Sequence, residues 1–489
     1  MVIVVSYFLK VLILIYKCSV IYITQGILMD FDLLIIGSGP GGYVAAIRGA
    51  QLGLKVAIIE KDALGGVCLN WGCIPTKSFL RSAEVLKLIK GSEKYGIKSE
   101  LGNIDISEVV KRSRSIAKRL SSGVEYLLKK NKVEIFLGEA SFKSSKSIQI
   151  KSKNNSIKEI TSKNICIATG GRPRIISGVP NSRNIWFYKE ALQVDKIPSK
   201  LLVVGSGAIG VEFASFFSQM GSDVSLLEAK PNILPNEDLE ISNFVEKQFL
   251  NRGIKVFKNH SLESLREKKG LIEAEFKGND RTLNLEFEKA ILAVGIVGNI
   301  ENLNLEGINI NCSNGSIVVD EYCKTNVDNI YAIGDVASPP WLAHKASHEG
   351  ISVAEQVAGL NVHSIKKDRI PSCTYCDPEV ASIGLTEKEA IENGFNFKIG
   401  MFPFSANGKA LAMGYENGFI KTIIQKDTGE FLGVHMVGMG VTELIHNYAL
   451  AKEAEIIQEN IENTIFPHPT LSEAIHESVL KASDKEIHI

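Results

Sequence analysis

The sequence predicts an α/β protein with two similar parallel-sheet units, one nested in the other, followed by a smaller α+β unit. An apolar strand, a glycine-rich loop and a helix occur twice, near residues 31–52 and 201–211, an order typical of parallel sheets covered by helices. From about Lys366 the pattern changes to strand-like segments interrupted by two helices. The length of 489 residues exceeds what one core accommodates, so several domains are expected.

Composition excludes some classes of protein. Lys plus Arg and Asp plus Glu both number 55, with no basic block, which argues against a nucleic-acid surface. The eight cysteines are scattered, so we predict a reducing compartment: the cytoplasm, or the mitochondrial matrix in a eukaryote. No metal site is predicted. Cys373 and Cys376 form a lone C-x-x-C pair, interpreted as free strand cysteines, with zinc or redox use as alternatives.

Residues 1–28 form an apolar leader broken by Lys10 and Lys17. The uncharged runs within that stretch, 1–9, 11–16 and 18–28, are each shorter than the roughly 20 residues that span a bilayer. We interpret Met29 as the real start, and a signal anchor is the alternative. No stable membrane span is predicted.

The first strand, Phe31–Ile36, is continuously apolar, as expected for a strand buried on both faces of a parallel sheet. The glycine loop 37–42 and a helix over 43–52 follow. A second strand, 55–59, ends at Glu60, 23 residues after the first glycine of the loop. This context turns a weak G-x-G-x-x-G pattern into a dinucleotide-binding fingerprint.

Each residue type in the fingerprint has a physical role. Gly37 makes the turn, Gly39 lets the backbone approach a pyrophosphate, and Gly42 allows the helix to pack closely. The helix N-terminus faces the phosphates, and Glu60 binds a ribose hydroxyl.

The cysteine stretch 65–77 comes next and holds Cys68 and Cys73, separated by four residues, in a glycine-rich turn. A bridge between them closes almost no loop and so stabilises the fold little. A strained, accessible pair opens and closes readily, as redox catalysis requires. The alternative is two ordinary buried thiols. Helices are predicted around 78–90 and 107–130.

The fingerprint then recurs. Strand 201–204 precedes the loop Gly205–Gly210, and strand 223–227 ends at Glu228, again 23 residues after the first glycine. Two fingerprints with one spacing imply two bound dinucleotides in two Rossmann-like domains. Glu228 favours a free 2′-hydroxyl and repels a 2′-phosphate, which predicts NAD rather than NADP at the second loop.

Further strands end at glycine turns, at residues 165–173, 290–295 and 329–335. Asp335, at the end of the last of these, is interpreted either as a contact to a ribityl chain or phosphate, or as a turn residue. In the C-terminal unit we predict strands over 373–384, 397–404, 418–425 and 431–437, and helices over 385–393 and 441–455.

His468 lies between two prolines, which hold its backbone stiff and extended. Glu473 follows five residues later, near the start of a helix predicted to be capped by Thr470 or Ser472. A carboxylate beside an imidazole fixes its tautomer and raises its basicity. The pair is therefore a candidate acid/base, and a structural histidine is the alternative.

From residue 30 to 489 the chain resembles the class I flavoprotein pyridine nucleotide-disulfide oxidoreductases. Among them it is most similar to the dihydrolipoyl dehydrogenases, the E3 components of 2-oxoacid dehydrogenase complexes. The motifs that carry the resemblance are 66–77, 331–335, 342–346, 378–381 and 468–473.

The resemblance implies an FAD-binding domain over 29–177, an NAD-binding domain over 178–297, a central domain over 298–365 and a C-terminal dimer-interface domain over 366–489. It also implies a homodimer that acts on a lipoyl-bearing E2 subunit, or on the lipoyl carrier protein of glycine cleavage.

By the same resemblance, Cys68 exchanges with dihydrolipoamide, Cys73 faces the flavin, His468 is the acid/base and Glu473 orients it. The residues expected to hold FAD are Gly37, Gly39, Pro40, Gly42, Glu60, Lys77, Gly138, Thr169, Gly170, Gly171, Asp335, Trp341, Leu342, Ala343 and His344. Those expected to hold NAD are Gly205, Gly207, Ala208, Ile209, Gly210, Glu212, Glu228 and Gly295, with Glu212 also pairing with Lys77.

The chain departs from the family pattern at 296–299, where Arg-x-Pro-Asn is usual, at Cys376, where threonine is common, and at Pro467, where alanine is common. Alternative functions are a glutathione reductase-like enzyme, which normally uses NADPH, or a membrane-surface NADH:quinone reductase, which has no use for Cys68 and Cys73. Mercuric and large thioredoxin reductases need a C-terminal cysteine or selenocysteine pair, and this sequence ends without one.

Overall fold

A computed structural model describes residues 29–278 and 281–489. The predicted leader, residues 1–28, lies outside this range. Among the described residues, no helix has the length and apolar character needed to cross a membrane.

The helices are α1 Pro40–Gln51, α2 Gly66–Trp71, α3 Cys73–Lys90, α4 Ile106–Lys130, α5 Tyr188–Ala191, α6 Ala208–Gln219, α7 Leu239–Asn251, α8 Ala343–Val357, α9 Glu387–Glu392, α10 Gly408–Met413, α11 Val441–Glu453, α12 Gln458–Glu462 and α13 Glu473–Lys481. The strands of the first half are β1 Phe31–Ile36, β2 Val56–Glu60, β3 Glu134–Leu137, β4 Glu139–Ser144, β5 Ser147–Lys151, β6 Ile157–Ile167, β7 Gly171–Pro173, β8 Ile185–Trp186, β9 Lys200–Val204, β10 Asp223–Leu227, β11 Lys255–Phe257 and β12 Ser261–Lys268. Those of the second half are β13 Leu271–Lys277, β14 Thr282–Phe287, β15 Lys289–Leu292, β16 Ile296–Gly298, β17 Cys312–Ser313, β18 Ser316–Ile317, β19 Ile330–Ala332, β20 Ser372–Thr374, β21 Val380–Gly384, β22 Phe397–Pro403, β23 Phe419–Gln425 and β24 Phe431–Val437.

The first sheet is parallel in the order β3-β2-β1-β6, and β19 returns late in the chain to pair in parallel with β6. The N-terminal half of the long strand β6 also forms an antiparallel extension with β5 and β4. Because parallel strands end at the same edge, the loops after β1, β6 and β19 meet at one crevice.

The second sheet repeats this plan in the order β11-β10-β9-β15-β8, and its neighbouring strands pair in parallel. An antiparallel sheet of β12, β13 and β14 accompanies it. The loops after β9, β10 and β15 again lie at one edge. The chain therefore builds the same kind of crevice twice.

The third sheet is antiparallel, in the order β20-β21-β24-β23-β22, and α13 packs near β22 and β23. One buried apolar cluster joins all three units. It contains Phe79 of α3, Phe216 of α6 and Val380 of β21, and the rings of Phe79 and Phe216 lie 4.9 Å apart. The units are thus held together by a shared core.

The predicted α/β class with a C-terminal α+β unit is confirmed. Two local predictions were wrong. The strand predicted over 373–384 is two strands, β20 and β21, joined by a turn at Asp377, and Cys376 lies in that turn rather than on a strand. Neither Thr470 nor Ser472 caps α13 with its side chain: the Thr470 hydroxyl donates to the Pro467 carbonyl oxygen at 2.8 Å, and the Ser472 hydroxyl donates to Thr470 Oγ1 at 3.0 Å.

Candidate active site

The two glycine loops have the same close packing. A Cβ on Gly42 would lie well inside van der Waals contact of the Gly37 carbonyl oxygen, and a Cβ on Gly210 would meet the Gly205 oxygen in the same way. Only glycine lets each helix approach its loop this closely. Gly39 and Gly207 instead face open space, and each precedes a helix that has no side-chain cap at its N-terminus. Both helix ends are therefore free to bind phosphate.

The acids at the ends of β2 and β10 are held by matching hydrogen bonds. Ser38 donates to Glu60 through its backbone N–H (2.9 Å) and its hydroxyl (2.6 Å). Ser206 makes the same two bonds to Glu228, at 2.9 and 2.6 Å. Both carboxylates are buried. Each loop therefore fixes the orientation of the acid that is expected to bind a ribose.

The cysteine pair lies where two helices meet. Short helix α2 carries Cys68 and ends at Gly72, and α3 begins at Cys73. A Cβ on Gly66 would lie 2.8 Å from the Cα of Gly39, so glycine there lets α2 rest against the first nucleotide loop. The redox pair is thereby placed beside the first crevice.

The surroundings shift the pKa values of the two thiols in opposite directions. A hydrogen bond from Cys68, helped by the nearby Lys77 ammonium, lowers the pKa of Cys73 although burial opposes this. That hydrogen bond and burial raise the pKa of Cys68. Cys73 therefore ionises more readily than Cys68.

Lys77, one turn into α3, pairs across the units with Glu212 of α6. Its Nζ lies 2.8 and 2.9 Å from the two carboxylate oxygens. The Glu212 side chain is only 7% exposed, whereas that of Lys77 is 32% exposed. The pair joins the first and second units directly at the cysteines.

The remaining residues expected at the first crevice lie on the loops after β6 and β19. Thr169 and Asn299 exchange hydrogen bonds of 2.8 Å in both directions, and a Cβ on Gly171 would lie 3.2 Å from the Cβ of Asp335. Burial raises the pKa of Asp335 to about 6. This carboxyl lies close to the loop, and in the described part of the chain it forms no salt bridge.

The other residues expected to hold a cofactor lie at the starts of helices or in loops. Pro40 is the first residue of α1, and Ala208 and Ile209 open α6. Gly138 donates its N–H to the Glu60 carbonyl oxygen at 2.9 Å, and the Gly295 carbonyl oxygen accepts from the Arg174 N–H at 3.0 Å.

Leu342 and Ala343 lie at the start of α8. Trp341 Nε1 donates to the Ala337 oxygen (3.4 Å), and His344 Nε2 lies 2.8 Å from the Pro371 oxygen. Gly170 accepts from the Asn299 N–H at 2.9 Å.

His468 and Glu473 form the predicted pair, with His468 Nδ1 2.9 Å from Glu473 Oε1. The Thr470 amide donates to the other carboxylate oxygen at 2.8 Å. Burial opposes ionisation of Glu473, but these hydrogen bonds outweigh it and lower its pKa. Since the ionised acid only accepts, Nδ1 carries a proton, and in the neutral form of the ring this leaves the lone pair on Nε2. The His468 side chain is 78% exposed.

Within the described ranges no hydrogen bond joins His468 to Cys68 or Cys73. The histidine belongs to the third unit and the cysteines to the first. Within the described ranges the His468–Glu473 pair and the cysteine pair are therefore not linked by hydrogen bonds.

One group of acids has the geometry of a metal site but surrounds a lysine ammonium instead. Asp238, Glu240 and Glu387 lie close enough together to share a cation. The ammonium of the fully buried Lys421 contacts all three, at 2.9 Å from Asp238. The lysine provides the positive charge that a metal would supply.

Some residues at the site were not predicted. Ser38 and Ser206 occupy the x position of G-x-G in both loops, so this repetition was available in the sequence. Asn299 lies in the segment noted only as a departure from the family pattern. Tyr375 contacts the Lys77–Glu212 pair, and no signal in the sequence marks it.

Comparison with known proteins identifies the family. The pyridine nucleotide-disulphide oxidoreductase family matches residues 31–350, and the dimerisation domain of the same family matches residues 370–479. A dihydrolipoyl dehydrogenase of Zymomonas mobilis is 49% identical over 461 residues, covering 94% of this chain and 99% of that protein. The Bacillus subtilis dihydrolipoyl dehydrogenase is 41% identical over 470 residues, covering 94% and 99%.

Solved structures of flavoprotein disulfide reductases and related proteins are similar to this chain as well. LpdA from Mycobacterium tuberculosis matches with a TM-score of 0.86 and 25% identity, over 92% of this chain and 99% of that one. The HOCl-induced flavoprotein disulfide reductase RclA from Escherichia coli matches with a TM-score of 0.81 and 25% identity, over 92% and 99%.

Proposed function

The chain belongs to the pyridine nucleotide-disulphide oxidoreductase family, and we propose that it oxidises protein-bound dihydrolipoamide to lipoamide through Cys68 and Cys73. It is a dihydrolipoyl dehydrogenase, an NAD-dependent oxidoreductase that acts on sulfur groups and uses FAD. One observation carries the proposal: beside the first crevice lie two neighbouring thiols whose pKa values are shifted in opposite directions.

The residues present fit two dinucleotides. Each crevice offers an uncapped helix N-terminus, open space at its middle glycine and a buried acid fixed by a serine. Bound FAD and NAD+ supply the two-electron and hydride chemistry that side chains cannot perform. We assign FAD to the first crevice and NAD to the second, with the domain bounds 29–177, 178–297, 298–365 and 366–489.

Side chains of the protein perform the thiol chemistry. His468 Nε2 accepts a proton from one thiol of dihydrolipoamide, and the resulting thiolate attacks Cys68 in a Cys68–Cys73 disulfide. The Cys68–Cys73 bond breaks and Cys73 leaves as a thiolate. A low thiol pKa makes a good leaving group, so the lowered pKa of Cys73 favours this direction of attack.

The second substrate thiol completes the exchange. It loses its proton and attacks the substrate sulfur of the mixed disulfide, which closes the lipoamide ring and releases the Cys68 sulfur. Cys68 takes up the proton that this second thiol loses, in keeping with its raised pKa. Two substrate thiols are thereby oxidised and one protein disulfide is reduced.

The family's dimerisation domain makes the protein a homodimer, and we propose that each site combines the cysteines of one chain with the partner subunit's His468. Two features support this: His468 is largely exposed, and it lies in the dimerisation domain, with no hydrogen bond to Cys68 or Cys73 among the described residues. Lipoyl groups on an E2 subunit, or on the lipoyl carrier protein of glycine cleavage, are the proposed substrates. We place the reaction in the cytoplasm.

Steady-state NADH formation from dihydrolipoamide and NAD+ tests the function. We expect Cys68→Ser to abolish it. Cys373→Ser, a matched change of a cysteine outside the proposed pair, should leave it near wild type. Turnover of glutathione disulfide with NADPH at a higher kcat/KM would instead support the glutathione reductase-like alternative.

A further inference from the structure

Tyr375 of the third unit contacts the Lys77–Glu212 pair in two ways. Its backbone N–H donates to Glu212 Oε1 at 2.9 Å. Its ring lies under the Lys77 ammonium, with Nζ 4.4 Å from the ring centroid. This residue is on the turn between β20 and β21, so the contacts bring the dimerisation domain to the redox centre.

We propose that Tyr375 is a positioning residue that holds the Lys77 ammonium beside Cys73. The inference rests on the proposed function of the cysteines and adds a residue that acts on them indirectly, through Lys77. In the wild-type protein the ring and the amide act on different partners: the ring on the lysine, the amide on its counter-ion.

The geometry gives each contact a distinct effect. Glu212 Oε1 accepts both from Lys77 (2.8 Å) and from the Tyr375 N–H (2.9 Å), which fixes the orientation of the carboxylate. Lys77 is partly exposed, so the carboxylate alone leaves its ammonium free to swing toward solvent. The face of an aromatic ring attracts a cation, and this attraction is strongest where water is excluded.

The turn that carries Tyr375 is itself anchored to the helix that carries Glu212. The Asp377 N–H donates to Ser215 Oγ at 3.0 Å, and Gln219 Nε2 donates to Asp377 Oδ2 at 2.7 Å. Arg252 and Lys87 pair with the same carboxylate, at 3.1 and 2.6 Å. The position of Tyr375 is therefore set by the contacts of Asp377 in the same turn, and not by contacts of the Tyr375 side chain.

The charges around the pair are few. Burial, followed by the nearby Cys373, raises the pKa of Tyr375 to about 12, so its hydroxyl stays neutral and the ring acts as a cation-binding face. The groups that face Lys77, Cys73 or Tyr375 are Cys68, Glu212, Cys373, Glu379 and Glu443. Glu212 is the acid among them that hydrogen-bonds Lys77.

The test follows the ionisation of Cys73 in FAD-loaded protein. In a Cys68→Ser parent, Cys73 is the single thiol of the pair, and its thiolate is recorded by long-wavelength absorbance beside FAD as pH is varied. Tyr375→Leu is added to remove the ring while keeping the backbone amide. Tyr375→Phe keeps the ring and loses the hydroxyl. Tyr415→Leu is the matched control, since Tyr415 also lies near a lysine, Lys94 (5.8 Å), but away from the cysteines.

We expect the titration midpoint to rise by about half a pH unit in Tyr375→Leu, a roughly threefold loss of thiolate at constant pH. Tyr375→Phe and Tyr415→Leu should titrate like the parent. Should the leucine variant lose FAD, Tyr375→Met serves in its place. Equal midpoints in the parent and the ring-free variant would overturn the role of Tyr375 alone. A parent without any thiolate absorbance would overturn the assignment of Cys73, and the inference with it.

Discussion

Replacing Glu228 by glutamine tests how the second crevice selects its nucleotide. The Glu228 carboxylate accepts three hydrogen bonds: two from Ser206 at Oε2, and one from the Lys230 N–H at Oε1 (2.9 Å). It is buried and held rigidly. Its negative charge should therefore face a ribose in one fixed orientation, which favours a 2′-hydroxyl donor and rejects a 2′-phosphate.

The size of the effect follows from the charge. A hydrogen bond to a charged group contributes about 1.5–3 kcal/mol and a neutral one about 0.5–1.5 kcal/mol, so glutamine loses about 1 kcal/mol on the NAD+ ribose. Removing the charge also lifts repulsion of a 2′-phosphate. Together we expect the preference for NAD+ over NADP+, as a ratio of kcat/KM values, to fall about 10- to 100-fold.

The matched control is Glu60→Gln, because Ser38 binds Glu60 at the same distances as Ser206 binds Glu228. That change should weaken FAD retention, measured as FAD released on dilution, and leave the nucleotide preference unchanged. If Glu228→Gln keeps the wild-type preference, or if Glu60→Gln alters it instead, the assignment of the two crevices is wrong.

Three further predictions concern the fold and the site. Gly42→Ala should abolish FAD binding, measured by flavin fluorescence, because its Cβ meets the Gly37 carbonyl oxygen. Asp335→Asn should raise the Tm of FAD-stripped protein at pH 8 by the equivalent of about 3 kcal/mol and much less at pH 4, while weakening FAD binding, since burial raises the pKa of this acid from 3.8 to about 6. Co-refolded Cys68→Ser and His468→Gln chains should recover about a quarter of wild-type activity, because half of randomly paired dimers hold one intact composite site.

Each of these three predictions has an outcome that would contradict it. Normal FAD binding by Gly42→Ala would mean that α1 packs differently. The sign for Asp335 follows from its raised pKa: the folded protein disfavours the carboxylate above pH 6, and this cost vanishes below about 3.8. A Tm gain that grows toward acid pH would therefore be inconsistent with burial. Activity of the mixed dimers no higher than that of His468→Gln alone would place a complete site within each chain.

The sheets could be predicted well from the sequence because their strands are short apolar runs between glycine turns. The bounds of β1 and β10 match the predicted residues 31–36 and 223–227. Each strand is buried on both faces, so apolar continuity alone marks its ends. The turn at Asp377 was missed since the apolar pattern continues on either side of it.

Contacts between distant segments were less predictable. Lys77 and Glu212 lie 135 residues apart and were expected to pair only by family resemblance. Tyr375 was not predicted, because its role depends on a turn that the Asp377 carboxylate anchors to α6. The cap of α13 was misjudged because Thr470 and Ser472 are common capping residues, and the partners that their hydroxyls find instead are visible only in three dimensions.

The central claim is that dihydrolipoamide reduces one disulfide, between Cys68 and Cys73. The most direct measurement mixes oxidised protein anaerobically with one equivalent of dihydrolipoamide per subunit, without NAD+, then alkylates new thiols and locates them by mass spectrometry. We predict one equivalent of lipoamide and new thiols on Cys68 and Cys73. Lipoamide formed with new thiols at Cys373 and Cys376, or no lipoamide at all, would contradict the account.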